Sequence, residues 1–305
     1  MRALLWFVLS TFILSGQTRQ VAITFDDLPR GGDTGGRDLQ SIRRMTEKLL
    51  TALRGVPVTA FVNAGRAQEV GDAGLQTILK LWRDQGALLG NHTYSHPDLN
   101  NTPLDQYTAD ILRGEPAIIA ALGGVRPIFF RHPFLHAGKD LATKRGLEKF
   151  LAAHGYRVAP VTLDNSDWLL AYVYAGALKD DKALAARVQA AYVPYMESIF
   201  ASFEERSKEV AGREFAQVLL VHANQLNADT MPALLDMMRR RGYKFITLDE
   251  ALRDEAYQLR DDYAGPGGFS WIHRWSKTKG MPPKGEPDEP KWIADEYRKR
   301  QAPPP

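Results

Sequence analysis

The chain has 305 residues, 44% hydrophobic and 25% charged, which is ordinary globular usage and long enough for one large α/β barrel or two smaller domains. A formal net charge of +3 and the lack of any Lys/Arg-rich run give no reason to expect a nucleic-acid partner. The absence of cysteine excludes disulfides, thiolate metal ligands, cysteine nucleophiles and a lipoprotein anchor, so any metal site must use His and carboxylate.

At the N-terminus, Arg2 precedes an apolar run that ends at Ser15 and Gly16. This pattern reads as a signal peptide over residues 1–16, and it predicts an exported chain, periplasmic or secreted. The run is shorter than the roughly 20 residues of a membrane span, so no stable span is expected after processing. Leu14 stands where a small residue is preferred, which leaves an uncleaved anchor or a buried N-terminal element as alternatives.

Gln20 to Phe25 then reads as a strand, with β-branched Val21 and Ile23. Leu39, Ile42, Met45, Leu49, Leu50 and Leu53 recur at a helical period, and Gly55 follows. Val56 to Val62 is a second strand, and Leu75 to Gln85 a helix stopped by Gly86. Ala87 to Leu89 is a short strand, and Leu104 to Leu122 a helix interrupted at Pro116. Ile128 to Phe130 is a strand, Ala142 to His154 a helix ending at Gly155, and Arg157 to Leu163 a strand. Lys182 to Val210 is a long helical insertion, expected to pack outside rather than to wall a cleft. Gln217 to Val221 is a strand and Pro232 to Arg241 a helix stopped by Gly242. Tyr243 to Thr247 is a last strand, and Asp249 opens a short helix. Residues 256–305 form a C-terminal extension, and its part from Asp261 onward is rich in Pro, Gly and charge. Its cluster Trp271, Ile272, His273 and Trp275 either pins the tail or lines a sugar cleft, and the last dozen residues are expected to be disordered.

About seven strand–helix alternations argue for a parallel sheet, open or closed into a barrel. The chemically loaded residues all follow strands: Asp26 and Asp27, His92, Arg131, Asp164 and Asp167, and His222. In a barrel this gathers them at the C-terminal rim, where such folds carry their sites.

One aspartate of the pair Asp26-Asp27 with His92 and His96 makes one carboxylate and two imidazoles, a set that leaves positions open for water and substrate. An isolated histidine pair four residues apart is more often a pair of ordinary loop side chains, and two aspartates before a turn are more often caps. Together, each at the end of a strand, they point to a catalytic metal site. Neighbouring side chains of an extended segment point apart, so one of the two carboxylates can bind metal while the other faces the substrate. Arg30 to Arg37 is glycine-rich but lacks the Lys-Ser/Thr of a phosphate loop, and it reads as a flexible rim segment.

Five ordered stretches carry a resemblance. Thr24-Phe25-Asp26-Asp27, His92-Thr93-Tyr94-Ser95-His96, Arg131-His132-Pro133-Phe134, Asp164-Asn165-Ser166-Asp167-Trp168 and Leu219-Leu220-Val221-His222 resemble the motifs of polysaccharide deacetylases of the NodB-homology type, carbohydrate esterase family 4. The likeness spans about residues 20–252. It implies a distorted (β/α)7-type barrel, with residues 17–255 as the deacetylase domain and 182–210 as its helical insertion. It implies removal of N-acetyl groups from an amino-sugar polymer or oligomer.

It also implies roles for single residues. Asp27, His92 and His96 would hold a divalent metal, zinc first and cobalt or another ion possible. Asp26 would take a proton from the attacking water, and His222 would protonate the leaving amine. Arg131 would orient and charge-balance Asp26, which near Arg131 and metal should stay ionised, and Asp167 would hold His222 and raise its proton affinity. The Phe134 backbone N–H would stabilise the oxyanion, and Trp168 would shape the pocket. One departure is plain: Leu135-His136 follows Phe134 where the family usually continues with Gly. His136 is expected to contact substrate, to act as an alternative acid or to have no role; His132 is equally open, and His154 and His273 read as structural. Rival readings are an O-acetyl esterase on an acetylated glycan, a hydrolase of a small non-sugar amide, and a non-catalytic glycan-binding protein. The intact set Asp26, Arg131, Asp167 and His222 argues against the last.

Overall fold

The computed structural model describes residues 19–302, so the expected signal peptide lies outside the described residues. β1 (Arg19–Leu28) is buried from Val21 onward and pairs with three other strands of the sheet. It is followed by α1 (Leu39–Ala52), capped by Asp38, then β2 (Val58–Val62), α2 (Ala67–Val70), α3 (Asp72–Asp84), β3 (Leu88–Asn91), α4 (Leu104–Ala121), β4 (Phe129–Phe130) and α5 (Leu141–Ala153). β5 (Arg157–Val158), α6 (Asp167–Asp180), α7 (Lys182–Ala211), β6 (Gln217–His222), α8 (Gln225–Arg240), β7 (Tyr243–Phe245) and α9 (Leu248–Ala251) complete the region of strand–helix alternation.

All strand pairs are parallel, in the order β5-β4-β3-β2-β1-β6, with β7 paired to the start of β1 at Arg19–Val21. This is the distorted (β/α)7 type of barrel that the sequence implies. The strand expected over Arg157 to Leu163 is split. Pro160 offers no N–H to a ladder, so pairing with β4 ends at Val158. The chain then crosses over, and Leu163 forms a single bridge to Leu219 of β6, which joins the far edge of the sheet back to its other side. That crossing brings Asp164 and Asp167 beside His222.

Several element boundaries differ from expectation for physical reasons. α4 runs through Pro116 instead of breaking there. The carbonyl that Pro116 leaves without a partner belongs to Leu112, which is exposed and can be solvated. α8 starts at Gln225, seven residues before Pro232, because Asn224 caps it by accepting from the Asn227 N–H. α6 has no counterpart in the sequence reading: Leu169, Leu170, Ala171, Val173, Tyr174, Ala175 and Ala177 are all buried, so no amphipathic period marks it.

α7 packs on α6 and α8 through Tyr192, Met196, Ile199, Phe200 and Phe203, all in the main core. Of the last dozen residues, expected to be disordered, those to Gln301 lie in a helix and residues 303–305 lie outside the described residues. α10 (Trp271–Thr278) buries Trp271, Ile272 and Trp275 in that core, so the aromatic cluster pins the tail. α11 (Lys291–Gln301) seats Ile293 there as well, and Arg300 donates to both carboxylate oxygens of Asp180. The charged, proline-rich composition suggested disorder, yet a handful of apolar anchors suffices to dock the segment. No helix among the described residues is long and apolar enough to cross a membrane.

Candidate active site

The end of β1 departs from regular extended geometry. Asp26 stays in register opposite His222 of β6, but Asp27 takes a left-handed φ of 64° and the pairing with β2 shifts between Phe25 and Leu28. The two carboxylates are therefore separated by a twist in the backbone, not by simple alternation along a strand. Gly31 accommodates this, since a Cβ there would stand 2.0 Å from the Asp27 Cβ.

His92 and His96 sit on a compact turn after β3. The Asp110 carboxylate accepts from the backbone N–H groups of Tyr94 and Ser95, and Thr93 Oγ1 accepts from that of His96. His92 Nδ1 lies 2.8 Å from the Arg131 carbonyl, so Nδ1–H donates there and Nε2 keeps its lone pair. Both Nε2 atoms face Asp27 Oδ1, at 3.6 Å for His92 and 3.4 Å for His96. Asp27 Oδ1 is buried and has no hydrogen-bond partner. The ligand atoms of Asp27, His92 and His96 all lie within 4.8 Å of one another. Burial pushes both imidazoles down to about 4, against the pull of Asp27, so they are neutral ligands at ordinary pH. Burial alone would raise Asp27, but His96, His222, His92 and Arg66 hold it well below the usual carboxylate range. An orphaned carboxylate oxygen facing two bare imidazole nitrogens is a donor set that fits a divalent cation.

Arg131 is fully buried and forks across this centre. Its Nη1 donates to both oxygens of Asp26 at 3.2 Å, Nη2 to Thr24 Oγ1 at 2.9 Å and Nε to the Ala159 carbonyl at 2.8 Å. Thr24 passes its own proton to the Leu219 carbonyl. Burial raises the Asp26 pKa, while Arg131 and His222 pull against it. Complete desolvation of Asp26 thus works against the ionisation expected of it near Arg131 and a metal.

On the other side of the cleft, Asp167 Oδ1 lies 2.7 Å from His222 Nδ1, and its Oδ2 accepts from the His222 backbone N–H at 2.8 Å. Asn227 Nδ2 donates to the same Oδ2 at 2.7 Å, and Asn227 Oδ1 accepts from Tyr192 of α7 at 2.7 Å. Asn224, Asn227 and Tyr192 have no place in the sequence reading. Only the helix-capping pattern at Asn224 could have signalled them.

The cleft these groups open onto has a volume of about 510 Å³. Asp26, Asp27, His92, His96, Phe134, Trp168 and His222 line it, while Arg131 and Asp167 lie fully buried behind them. Phe134 is half-exposed with a φ of 57°, its ring 4.5 Å from that of His96. Leu135, where the family usually has Gly, also takes a left-handed φ, 54°. A backbone shape suited to glycine is thus kept with a buried leucine in it.

His136 lines the cleft with Nδ1 on Asp98, at 2.6 Å. His132 lies deeper, stacked on Trp271 and pushed well below its ordinary pKa by burial. His154 binds the Phe150 carbonyl and His273 faces Glu286, both away from the cleft. Asp164 lines the cleft too, and burial together with Glu286 pushes it up to about 7. The loop read as flexible is tied down: Arg30 forks onto Asp33 in a buried ion pair, and Arg37 donates to the Arg30 and Asp33 carbonyls.

The family described as polysaccharide deacetylase matches residues 15–158. A peptidoglycan-N-acetylglucosamine deacetylase of Bacillus cereus is 25% identical over 235 residues, covering 75% of this chain and 66% of that protein. A chitin deacetylase of Colletotrichum lindemuthianum is 24% identical over 240 residues, 77% of this chain and 79% of that one. The chain thus spans about two thirds of the bacterial relative's length and four fifths of the fungal one's. Among solved structures, the fungal chitin deacetylase superposes with a TM-score of 0.52 at 23% identity, over 77% of this chain and 88% of that one. A carbohydrate esterase family 4 pseudoenzyme from Bacillus anthracis does so with a TM-score of 0.51 at 14% identity, over 77% and 66%. At these identities the superpositions show a shared fold.

Proposed function

Since this chain belongs to the polysaccharide deacetylase family, the NodB-homology group of carbohydrate esterase family 4, we propose that it is a metal-dependent hydrolase. Its reaction in this reading removes N-acetyl groups from an amino-sugar polymer or oligomer and releases acetate. The observation that carries it is the meeting, at one cleft, of a three-ligand cluster with a buried carboxylate and a histidine of raised pKa on adjacent strands.

Asp27, His92 and His96 would hold the cation, and one carboxylate with two imidazoles favours zinc. When bound, a divalent cation polarises the acetyl carbonyl and makes water a better nucleophile near neutral pH. Asp26 accepts a proton from the attacking water, with Arg131 fixing its orientation through both oxygens and Thr24 fixing Arg131. The Phe134 backbone N–H is assigned to the oxyanion formed on the acetyl carbon, a contribution of roughly 3 kcal/mol in well-studied sites. Asp167 occupies His222 Nδ1, which leaves Nε2–H to face the cleft. Nε2 gives its proton to the amide nitrogen as the C–N bond breaks, so the amine leaves neutral and acetate follows. Trp168 walls the pocket.

In this reading residues 17–255 are the deacetylase domain and 256–305 an extension packed onto it. The enzyme works outside the cytoplasm, a placement supported by the N-terminal apolar run. The test is acetate release from chitin oligomers, peptidoglycan and acetylated xylan, after chelation and again after adding zinc or cobalt. Metal-restored release from an N-acetylated glycan is expected. Release from xylan alone would make the protein an O-acetyl esterase, and no release from any of them would overturn the reading.

A further inference from the structure

We propose that Tyr297, on the C-terminal helix α11, is a positioning residue that holds the Trp168 indole as a wall of the cleft, so that residues 256–301 form part of the binding site for an N-acetylated sugar. The proposal rests on the function proposed above and names an element of its substrate site. Trp168 stands on the first turn of α6 and is 40% exposed at the cleft. A large ring so exposed needs neighbours to fix its rotamer. On one side the backbone of Gly32 closes in, where an added Cβ would stand 3.1 Å from the Trp168 Cβ. The ring itself is met by Tyr297, whose ring stands edge-on to the indole at 5.6 Å and 82°.

Tyr297 is itself placed firmly. Its ring meets Tyr172 edge-on at 5.0 Å, and Gln301 donates to its hydroxyl. Fully buried Ile293 and the Arg300–Asp180 fork fix the helix that carries it. Gly176 leaves room for that fork, since a Cβ there would come 2.9 Å from Arg300 Nη1.

The same segment reaches the cleft a second time. Gly268 is one of its lining residues and lies against the Phe134 carbonyl, where a Cβ would stand 1.9 Å away. Gly265 N–H donates to the Gly138 carbonyl and Asn100 Nδ2 to that of Pro266, which anchors this stretch to the Phe134–His136 loop. The extension therefore touches both the Phe134 wall and the Trp168 wall. The C–H face of a pyranose ring is apolar and packs on an aromatic face, so the orientation of Trp168 sets how well a sugar is gripped.

The test compares steady-state acetate release from a chitin pentamer by the full-length wild type, Tyr297→Ala, Tyr297→Phe, Trp168→Ala and the Tyr297→Ala/Trp168→Ala double variant. In parallel, calorimetry measures pentamer affinity in an Asp26→Asn background. Tyr297→Ala is expected to raise KM, and Kd with it, about five-fold with kcat nearly unchanged, the effect of one lost aromatic pair. Tyr297→Phe keeps the ring edge and should match wild type. The double variant should be no worse than Trp168→Ala alone. An unchanged KM and Kd in Tyr297→Ala, or a penalty that adds fully to that of Trp168→Ala, would overturn the proposal. A wild type that releases no acetate would instead overturn the function, and the calorimetric comparison would still decide the role of Tyr297.

Discussion

Asp167 grips His222 at its ring and at its backbone N–H, and this sets the protonation of the imidazole. Burial alone would lower the His222 pKa, but the charge and hydrogen bond of Asp167, with Asp27 and Asp26 adding, push it up to about 9. Of these carboxylates only Asp167 touches the ring and lies apart from the metal cluster, so its pull persists when a cation neutralises Asp27. A group whose folded pKa is raised stabilises the fold fully below its ordinary 6.5 and loses that contribution as pH climbs through about 9. Turnover that needs the protonated ring has the same sign, so kcat/KM is expected to fall on the alkaline side near pH 9. In Asp167→Asn the charge is gone and the burial remains, and the alkaline limb should move down by roughly one pH unit or more. A pH–rate profile with an unmoved limb would assign the acid to another group. All nine residues singled out from the sequence reach this cleft or stand directly behind it, because each closes a strand or opens the loop after one. Their partners were harder to read: Asn227 serves Asp167 across 60 residues, and nothing local announces such a bond.

Gly90 shows at the scale of an element how tightly the strands hold the site. A Cβ on this residue of β3 would stand 2.4 Å from Phe61 Cε1 and 3.0 Å from the Phe129 carbonyl. The Arg131 guanidinium lies over that same Phe61 ring, 4.6 Å from its centroid. Gly90→Ala is expected to cost about 1–3 kcal/mol in urea unfolding, through overpacking, and to lower kcat by disturbing Arg131. An unchanged unfolding midpoint would mean that Phe61 can swing aside without loss. Elements with a clear period, such as α1, were legible in the sequence almost to the residue. α6 was not, because a helix whose middle turns are almost wholly buried has no polar face to mark them. The crossing at Pro160 was not legible either, because the ladder partner of Leu163 depends on where the chain goes after it leaves β4.

For the molecule as a whole, the C-terminal extension belongs to the core. Ile272 and Ile293 are fully buried and Trp275 nearly so. Lys144 of α5 and Arg274 of α10 meet on Asp261, at 2.9 Å and 2.7 Å. A chain ended at residue 255 is expected to lose its cooperative thermal transition, followed by circular dichroism, because deleting such anchors exposes apolar surface that nothing else covers. Retention of the full-length midpoint would show the extension to be dispensable. Composition does not reveal such docking because it averages over many residues, whereas docking depends on a few. The single bridge between Leu163 and Leu219 has a mechanical consequence. It shares that thinness with the β3–β4 seam, a single pair at Asn91 and Phe130, whereas every other seam is stitched by at least two pairs. The stretch from Leu163 to Asp164 can breathe, while Asp26, Asp27, His92 and His222 stand on or just after the well-paired strands β1, β3 and β6. Amide exchange at Leu163 and Leu220, whose N–H groups span this closure, should accordingly outpace that at Ala60 and Leu89, which makes the closing seam the supple margin of a stiff cleft.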